Sequence, residues 1–185
     1  MNKWLGLTVD GKAVIAWARS SEALSEIADV ILRLVAASVV YSVILGKSIP
    51  ADGALINAAS LAYLMEQCQS LKVLTLWTIA LDEDHCRVLG DFSRSGLEIE
   101  LSYCQLTSAG TSALAEVLGR NQGPTSRSNC DVNNVVLANG LRGNSRLKTL
   151  YPRISSNVEV GNRELLAIAG ALRENKGLVN LNLRG

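Results

Sequence analysis

Three groups of residues have side chains that could carry out chemistry. The first group is Gly46-Lys47-Ser48, which follows an apolar run. A phosphate-binding loop cradles its ligand with backbone N–H groups at a helix N-terminus and has the pattern Gly-x4-Gly-Lys-Ser. Here Tyr41 stands at the position of the first glycine, and Pro50 interrupts the helix that should follow. We therefore expect a turn after a strand, and a nucleotide-binding or enzymatic domain using these three residues is the alternative hypothesis.

The second segment is Asp82-Glu83-Asp84-His85-Cys86, which places metal-type ligands in a row. Adjacent residues of a helix do not face one another, so these side chains would not converge on one ion. His85 is the only histidine of the chain, and a zinc site would need distant cysteines as well. The acidic residues instead suit the N-terminus of a helix, where the dipole favours negative charge. We predict a helix start, with no metal and no cofactor.

The third group is the four cysteines, at positions 68, 86, 104 and 130, which include no C-x-x-C pair and indicate intracellular thiols. Cys104 and Cys130 occupy the same position in successive sequence units, so we expect them about one strand spacing apart. They are predicted to be buried as small hydrophobic side chains, and whether they ever pair is open. Because no histidine lies beside either thiol, nucleophilic catalysis is not expected and we predict a protein that is not an enzyme.

The composition excludes several classes of protein. Of the 185 residues, 48% are hydrophobic, which is ample to fold, so the chain is not disordered. Eighteen basic residues against 17 acidic ones give a net charge of +1, which argues against a nucleic-acid or anionic-membrane partner. The most membrane-like uncharged stretch, residues 34–45, is shorter than the ~20 residues of a membrane span. With no secretory signal at the N-terminus, we expect a cytoplasmic protein.

The elements that position these residues follow from a repeated leucine pattern. The pattern L-x-x-L-x-L occurs in clean form at Leu71/Leu74/Leu76 and at Leu178/Leu181/Leu183. Such alternation of leucines indicates a strand with one buried face. Helical stretches follow, such as residues 106–119, where apolar residues share one face. The strand anchors fall at positions 43, 74, 99, 125, 150 and 181. We expect one continuous core containing Leu74, Leu101, Leu114, Leu118, Leu141, Leu150, Leu172 and Leu181.

The best copy of the unit runs from Ile99 to Leu118, and its pattern resembles the ribonuclease-inhibitor type of leucine-rich repeat. The resemblance covers roughly residues 30–185. It implies an α/β solenoid: a right-handed βα superhelix with a curved parallel sheet inside and helices outside. Residues 1–20 would be an N-terminal segment, and residues 21–185 a repeat array of about five units plus the start of a sixth, truncated at the C-terminus. The first helix of the array would span about residues 21–37.

The units depart from the family pattern at two kinds of position. The turn position that carries Asn or Cys in the family reads Ser48, Ile79, Cys104, Cys130 and Ser155. Pro152 stands in place of a buried leucine, and the unit at positions 125 and 127 is degraded to Thr and Arg. A partly folded fragment without independent function is therefore a further alternative.

The resemblance implies a function for the concave face, because curved repeat arrays use that surface to bind proteins. Aromatic and arginine anchors with polar neighbours are typical of such surfaces. We expect a non-enzymatic protein-protein interaction module, with self-association through an uncapped C-terminal end as an additional hypothesis. The predicted partner-binding residues are Trp77, Glu98, Glu100, Tyr103, Tyr151, Arg153, Asn180, Asn182 and Arg184.

Overall fold

A computed structural model describes residues 4–7, 13–18, 42–47, 57–93 and 95–183. The predicted helix at residues 21–37, Ser48 and Arg184 lie outside these ranges. The described strands are β1 Trp4–Leu7, β2 Ala13–Ala18, β3 Ser42–Lys47, β4 Val73–Trp77, β5 Ala80–Leu81, β6 Glu98–Ser102, β7 Gln105–Leu106, β8 Ser126–Ser128, β9 Thr149–Tyr151 and β10 Asn180–Leu181. The described helices are α1 Ala58–Gln67, α2 Glu83–Asp91, α3 Ser108–Gly119, α4 Asn134–Leu141 and α5 Val158–Leu172.

Eight of these strands form one sheet in the order β1-β2-β3-β4-β6-β8-β9-β10, which follows the order of the chain. Only β1 and β2 pair antiparallel, and all other neighbours in the sheet are parallel. From β4 onwards, a helix lies between each pair of neighbouring strands of this sheet. The short strands β5 and β7 form a separate parallel pair. The chain is therefore of the α/β class, and its sheet already includes residues 4–7 and 13–18 of the predicted N-terminal segment.

Each described helix begins at a polar side chain that accepts a hydrogen bond from a free backbone N–H of the first turn. The capping residues are Asn57, Asp82, Thr107, Asn133 and Asn157. Such caps satisfy N–H groups that have no partner inside the helix, and each is worth about 1 kcal/mol. The predicted start of a helix at the acidic segment is thereby confirmed. No described helix has the length and apolar character needed to cross a membrane.

The core lies between the helices and one face of the sheet. Along β4 and β6, buried leucine and isoleucine side chains alternate with partly exposed ones, as the period of a strand requires. Of the eight predicted core leucines, six have no solvent exposure: Leu74, Leu101, Leu114, Leu118, Leu141 and Leu150. Leu172 is only half-buried. The prediction for Leu181 is wrong, because this residue lies on the edge strand β10 and is 38% exposed.

The register of the sheet corrects two further predictions. Arg127 pairs with Leu101 on one side and with Leu150 on the other, so Arg127, and not Thr125 as expected, is the equivalent of Leu150. The unit between β8 and β9 is therefore shorter than predicted. Gly46 and Lys47 are the last two residues of β3 and pair with β2, so they do not form the expected turn. Because Gly46 also pairs with β4, it lies within the ladder and not in a loop.

The short unit is accommodated by a close approach of two helices. Helix α4 has only eight residues, and its Gly140 lies directly against the backbone of Ala115 in α3. A Cβ atom on Gly140 would come within 2.2 Å of the Ala115 carbonyl oxygen. Since this contact is with backbone, the neighbouring helix would have to move to admit any side chain.

The contact predicts opposite effects for two helical glycines. Gly140→Ala should lower the free energy of unfolding by at least about 1–3 kcal/mol, the usual cost of overpacking a core. Gly170→Ala in α5 is the matched control, because a Cβ there meets nothing within 4 Å. The control should gain ~0.5–1 kcal/mol, since glycine disfavours a helix. Urea denaturation measures both values, and equal effects of the two substitutions would contradict this packing.

Candidate functional site

The face of the sheet opposite the core carries polar and aromatic side chains. On β4 and β6 these are Val73, Thr75, Trp77, Glu98, Glu100 and Ser102, each half-buried or exposed. The Thr75 hydroxyl donates to Glu100 Oε2 at 3.1 Å, and the hydroxyls of Ser102 and Ser128 lie 2.9 Å apart. Cross-strand hydrogen bonds of this kind hold a polar face in order. We refer to this surface, from β4 to β10, as the open face.

The strands β4, β6 and β8 end in turns of the same conformation. Thr78, Tyr103 and Asn129 directly follow these strands and have φ values of 57°, 55° and 51°. The N–H of each residue donates to a carbonyl oxygen of the next strand, at 2.8–2.9 Å. A β-branched threonine with positive φ is uncommon. Such a strained backbone conformation persists only where the surrounding structure holds it in place. Tyr103 therefore lies in a turn beyond β6.

Two aromatic side chains meet at these turns. The rings of Trp77 and Tyr103 pack edge to face, with centroids 6.0 Å apart and an interplanar angle of 71°. Tyr103 is 53% exposed, although aromatic rings usually gain by burial. Together with Arg153 the pair surrounds a cavity of about 270 Å³, the aromatic cavity. Its other lining residues are Thr78, Gln105, Asn129 and Asp131.

The segment that carries Arg153 is fixed by two buried polar side chains. Asn134 Nδ2 donates to the carbonyl oxygen of Arg153 at 2.9 Å and to Glu164 Oε1 at 3.2 Å. The other carboxylate oxygen of Glu164 accepts from the N–H of Ser155 at 2.9 Å. Asn134 Oδ1 has no hydrogen-bond partner among the described residues, but the three buried hydrogen bonds make the local structure rigid. The backbone at this wall of the aromatic cavity is therefore held in place by α4 and α5.

A wider cavity of about 750 Å³ opens at the other end of the open face. Glu98, Glu100, Arg146 and Lys148 are among its lining residues, so it presents both signs of charge. Arg146 donates to the carbonyl oxygens of Gly123 and Leu97, each at 2.7 Å, and is fixed by these bonds. Burial lowers the pKa of the Arg146 guanidinium from its usual value.

The structure brings together some of the predicted partner-binding residues and separates others. Trp77, Tyr103 and Arg153 line the aromatic cavity, and Glu98 and Glu100 line the wider one. Tyr151 is half-buried on β9, opposite Ser128. Asn180 and Asn182 are exposed at the edge of the sheet, and Asn180 pairs with Thr149. The sequence reasoning missed Gln105 and Asp131, which the turns bring to the aromatic cavity.

A fully buried arginine, which sequence reasoning also missed, lies on the core side of β8. Arg127 occupies the register of Leu101 and Leu150 and has no solvent exposure. Its Nη2 donates to the carbonyl oxygen of Cys130 at 2.9 Å, while Nε and Nη1 have no hydrogen-bond partner among the described residues. Burial lowers the pKa of Arg127. The signal in the sequence was an arginine in the place of a leucine within the repeat.

The acidic segment is organised as the N-terminal cap of α2. Asp82 Oδ1 accepts a hydrogen bond from the N–H of His85 at 3.1 Å and lies 2.6 Å from Nδ1 of the buried His85 ring. Burial raises the pKa of Asp82, but the hydrogen bonds from His85 outweigh it, and the pKa is lowered overall. In the described ranges, no three His, Cys, Asp or Glu side chains are grouped so that they could hold a metal ion.

Comparison with known proteins gives no relative for this chain. No protein family, no curated protein and no solved structure matches it.

The buried guanidinium predicts an unusual gain from a substitution. Arg127→Met keeps a long side chain and removes a charge from the core, although the carbonyl oxygen of Cys130 loses its donor. Removing a buried charge gains about 1–4 kcal/mol and losing the hydrogen bond costs ~1 kcal/mol, so the free energy of unfolding should rise by about 1–3 kcal/mol. The thiol of Cys130 is neutral once protonated, so no unpaired charge remains. Arg146→Met is the control, because it leaves two carbonyl oxygens without their donor and should cost ~1–3 kcal/mol. Urea denaturation decides, and a loss of stability in Arg127→Met would contradict this view of the core.

Proposed function

We propose that this chain is a non-enzymatic protein-protein interaction module, a leucine-rich-repeat solenoid of the ribonuclease-inhibitor type that binds a partner through its open, concave face. Three features support the repeat architecture. The strands of the sheet follow chain order, and helices alternate with them. The turns after β4, β6 and β8 share one conformation. Cys104, at the family's Asn/Cys position, lies with Sγ 3.3 Å from the Leu76 carbonyl oxygen.

The pairing of the strands also supports a repeat, because one position of each unit lies in a single row across the sheet. A solenoid stacks equivalent positions of successive units in this way. The row consists of Leu45, Leu76, Leu101, Arg127, Leu150 and Leu181.

The observation that carries the binding proposal is the aromatic cavity. Trp77 and Tyr103 are ordered against each other, and Arg153 lies on a segment that is held by buried hydrogen bonds. Aromatic and arginine side chains dominate the energy of protein interfaces, and a preordered pair loses little entropy on binding. At about 270 Å³, the cavity is smaller than the ~300–1,000 Å³ that usually encloses a small ligand. Its size suits a single side chain of a partner.

Two alternatives are separated from this proposal by simple measurements. Nucleotide binding at Gly46-Lys47-Ser48 requires a loop, whereas Gly46 and Lys47 pair within the sheet. A nucleotide that bound only the folded chain would raise its melting temperature, so MgATP should leave that temperature unchanged. A partly folded fragment would lack a cooperative transition, and circular dichroism should instead show a single cooperative melt.

The cytoplasm is the compartment that we propose. None of the four cysteines is in a disulfide, and all four are buried. Thiols in this state are typical of a reducing compartment.

We predict that Trp77→Ala weakens binding about tenfold or more. Truncating an interface anchor typically costs at least ~1.4–2 kcal/mol, which corresponds to this change in Kd. The partner would be isolated by affinity capture from the source cell and its Kd then measured with the purified chain. Tyr63→Ala is the matched control, because Tyr63 is an aromatic residue of α1 that is 50% exposed away from the open face.

The control should bind within twofold of the original chain. A partner whose affinity falls with Tyr63→Ala and not with Trp77→Ala would place binding on the helices and refute the proposal. A stabilising shift with MgATP would favour the enzymatic alternative instead.

We also predict that the chain self-associates through β10. This strand lies at the edge of the described sheet, and its Leu181 and the adjacent Val179 and Leu183 are exposed. An edge strand with apolar neighbours is prone to pairing with another chain, and lysine at such an edge opposes it. Sedimentation should therefore show less association for Leu181→Lys, while Val158→Lys, at an exposed site on α5, leaves association unchanged. A monomeric original chain would contradict this prediction.

A further inference from the structure

The surroundings of Arg127 indicate that its charge is balanced by sulfur. A buried cation is stable only when it is paired, because transfer of an isolated charge out of water is very costly. The charged or ionisable side chains that act on the guanidinium are those of Cys130, Cys104 and Asp131. Asp131 is exposed at the surface, whereas both cysteines are fully buried beside the guanidinium. Cys130 is the nearest in sequence, and its own carbonyl accepts the hydrogen bond from Arg127 Nη2.

Cys104 and Cys130 are neighbours across two parallel segments. The N–H of Asp131 donates to the Cys104 carbonyl oxygen at 2.8 Å, and Gln105 pairs with Asp131, so the two cysteines stand at the same register. Adjacent strands are about 4.8 Å apart, within the ~4.4–6.8 Å between Cα atoms that a disulfide spans. The two thiols are close enough that the ionisation of each depends on the other. A bond between them would need little movement of the backbone.

The two thiols differ in their acidity. The hydrogen bond from Cys104 and the positive charge of Arg127 outweigh burial and lower the pKa of Cys130 to about 7. The hydrogen bond with Cys130, together with burial, raises the pKa of Cys104 well above its usual value. The Cys130 thiol makes a long hydrogen bond, at 3.5 Å, to the Ser128 carbonyl oxygen. Ionisation of Cys130 would therefore cost little in lost hydrogen bonding. Cys130 is therefore the more acidic thiol of the pair and the one that ionises first as the pH rises.

The thiols lie one residue away from the open face. Tyr103 and Gln105 flank Cys104, and Asn129 and Asp131 flank Cys130, and all four of these residues line the aromatic cavity. The cysteine side chains themselves turn into the core. The route that oxidation requires for a small neutral oxidant is therefore from this cavity, through a local opening of the turns.

We propose that Cys104 and Cys130 form a redox-active dithiol that hydrogen peroxide converts to a disulfide, with Arg127 as the positioning residue. The Cys130 thiolate attacks one peroxide oxygen, the O–O bond breaks, and Cys130 becomes a sulfenic acid as hydroxide leaves. The Cys104 sulfur then attacks the Cys130 sulfur, so the S–O bond breaks and the S–S bond forms. The leaving hydroxide takes the Cys104 proton as water. The two sulfurs lose two electrons in total, and the peroxide gains them.

Arg127 acts on this reaction through its charge and its unpartnered N–H groups. The charge keeps Cys130 in the thiolate form, which is the nucleophile. The donors at Nε and Nη1 have no hydrogen-bond partner within the described chain. Under the proposal they stabilise the oxygen that leaves as hydroxide, so the arginine serves both the attacking sulfur and the leaving group.

The test uses the full chain, reduced and then exposed to hydrogen peroxide while folded. After denaturation, the remaining thiols are alkylated, and mass spectrometry maps the products. We expect two of the four thiols to be lost and one Cys104–Cys130 disulfide to appear. The initial rate should rise with pH around a midpoint near 7. In Arg127→Met the rate at pH 7 should fall at least tenfold, and the midpoint should move towards 9, the ordinary thiol value.

Three controls separate this chemistry from general exposure of the core. Cys68 is also fully buried and serves as an internal reference that should remain alkylatable. Cys104→Ser should block the disulfide and leave a sulfenic acid on Cys130, which dimedone traps. Arg127→Lys, which keeps the charge, should keep a midpoint near 7. Loss of Cys68 at the same rate, absence of the Cys104–Cys130 disulfide, or an unchanged pH midpoint in Arg127→Met would each overturn the proposal.

Discussion

The shared register of the parallel strands constrains every other feature of this structure. Side chains alternate between the two faces of a strand, so a slip of one residue would carry the leucines of β4, β6 and β9 from the helix-covered core to the open face. The units nevertheless differ in length, since the chain is shorter from Arg127 to Leu150 than from Leu150 to Leu181. The difference is taken up in the helices, because α4 is much shorter than α5. Close contacts such as that of Gly140 keep the shorter unit in line with its neighbours.

The sequence predicted those features that depend on local patterns. The alternation of leucines located the strands and their buried leucines, and the helical periodicity located the buried leucines of α3 and α4. The acidic run at residue 82 located a helix start. Features that depend on contacts between units were not predictable in the same way. The expected spacing assumed that Leu150 corresponds to Thr125, whereas the register pairs it with Arg127. The left-handed conformation of Tyr103 depends on a hydrogen bond to Ser128, which belongs to the following unit of the chain. Single sequences do not reveal such partners.

Arg127 shows how the register sets local energetics and chemistry together. Its neighbours at the same register, Leu101 and Leu150, are fully buried, so the sheet carries Arg127 into the core as well. A leucine or methionine would fit this environment without the cost of removing a charge from water. Cys130 follows the same strand, β8, and Cys104 follows its neighbour, β6. A thiolate on one of these cysteines is the smallest counter-charge available to the arginine. The charge of Arg127 lowers the pKa of Cys130. We attribute a loss of stability to the burial of this charge, and the same charge makes the Cys130 sulfur more reactive.

The proposed binding surface and the proposed dithiol are connected by the same turns. The left-handed conformations of Tyr103 and Asn129 leave those side chains at the aromatic cavity, and the next residue in each case, Cys104 or Cys130, turns into the core. One backbone turn thus presents a contact residue on the open face and a thiol on the other. A disulfide between the two cysteines would fix the separation of the two turns, and with it the distance between Tyr103 and the wall formed by Asn129 and Asp131. Binding in the aromatic cavity and oxidation beneath it would then act on the same few backbone bonds, so each would change the free energy of the other.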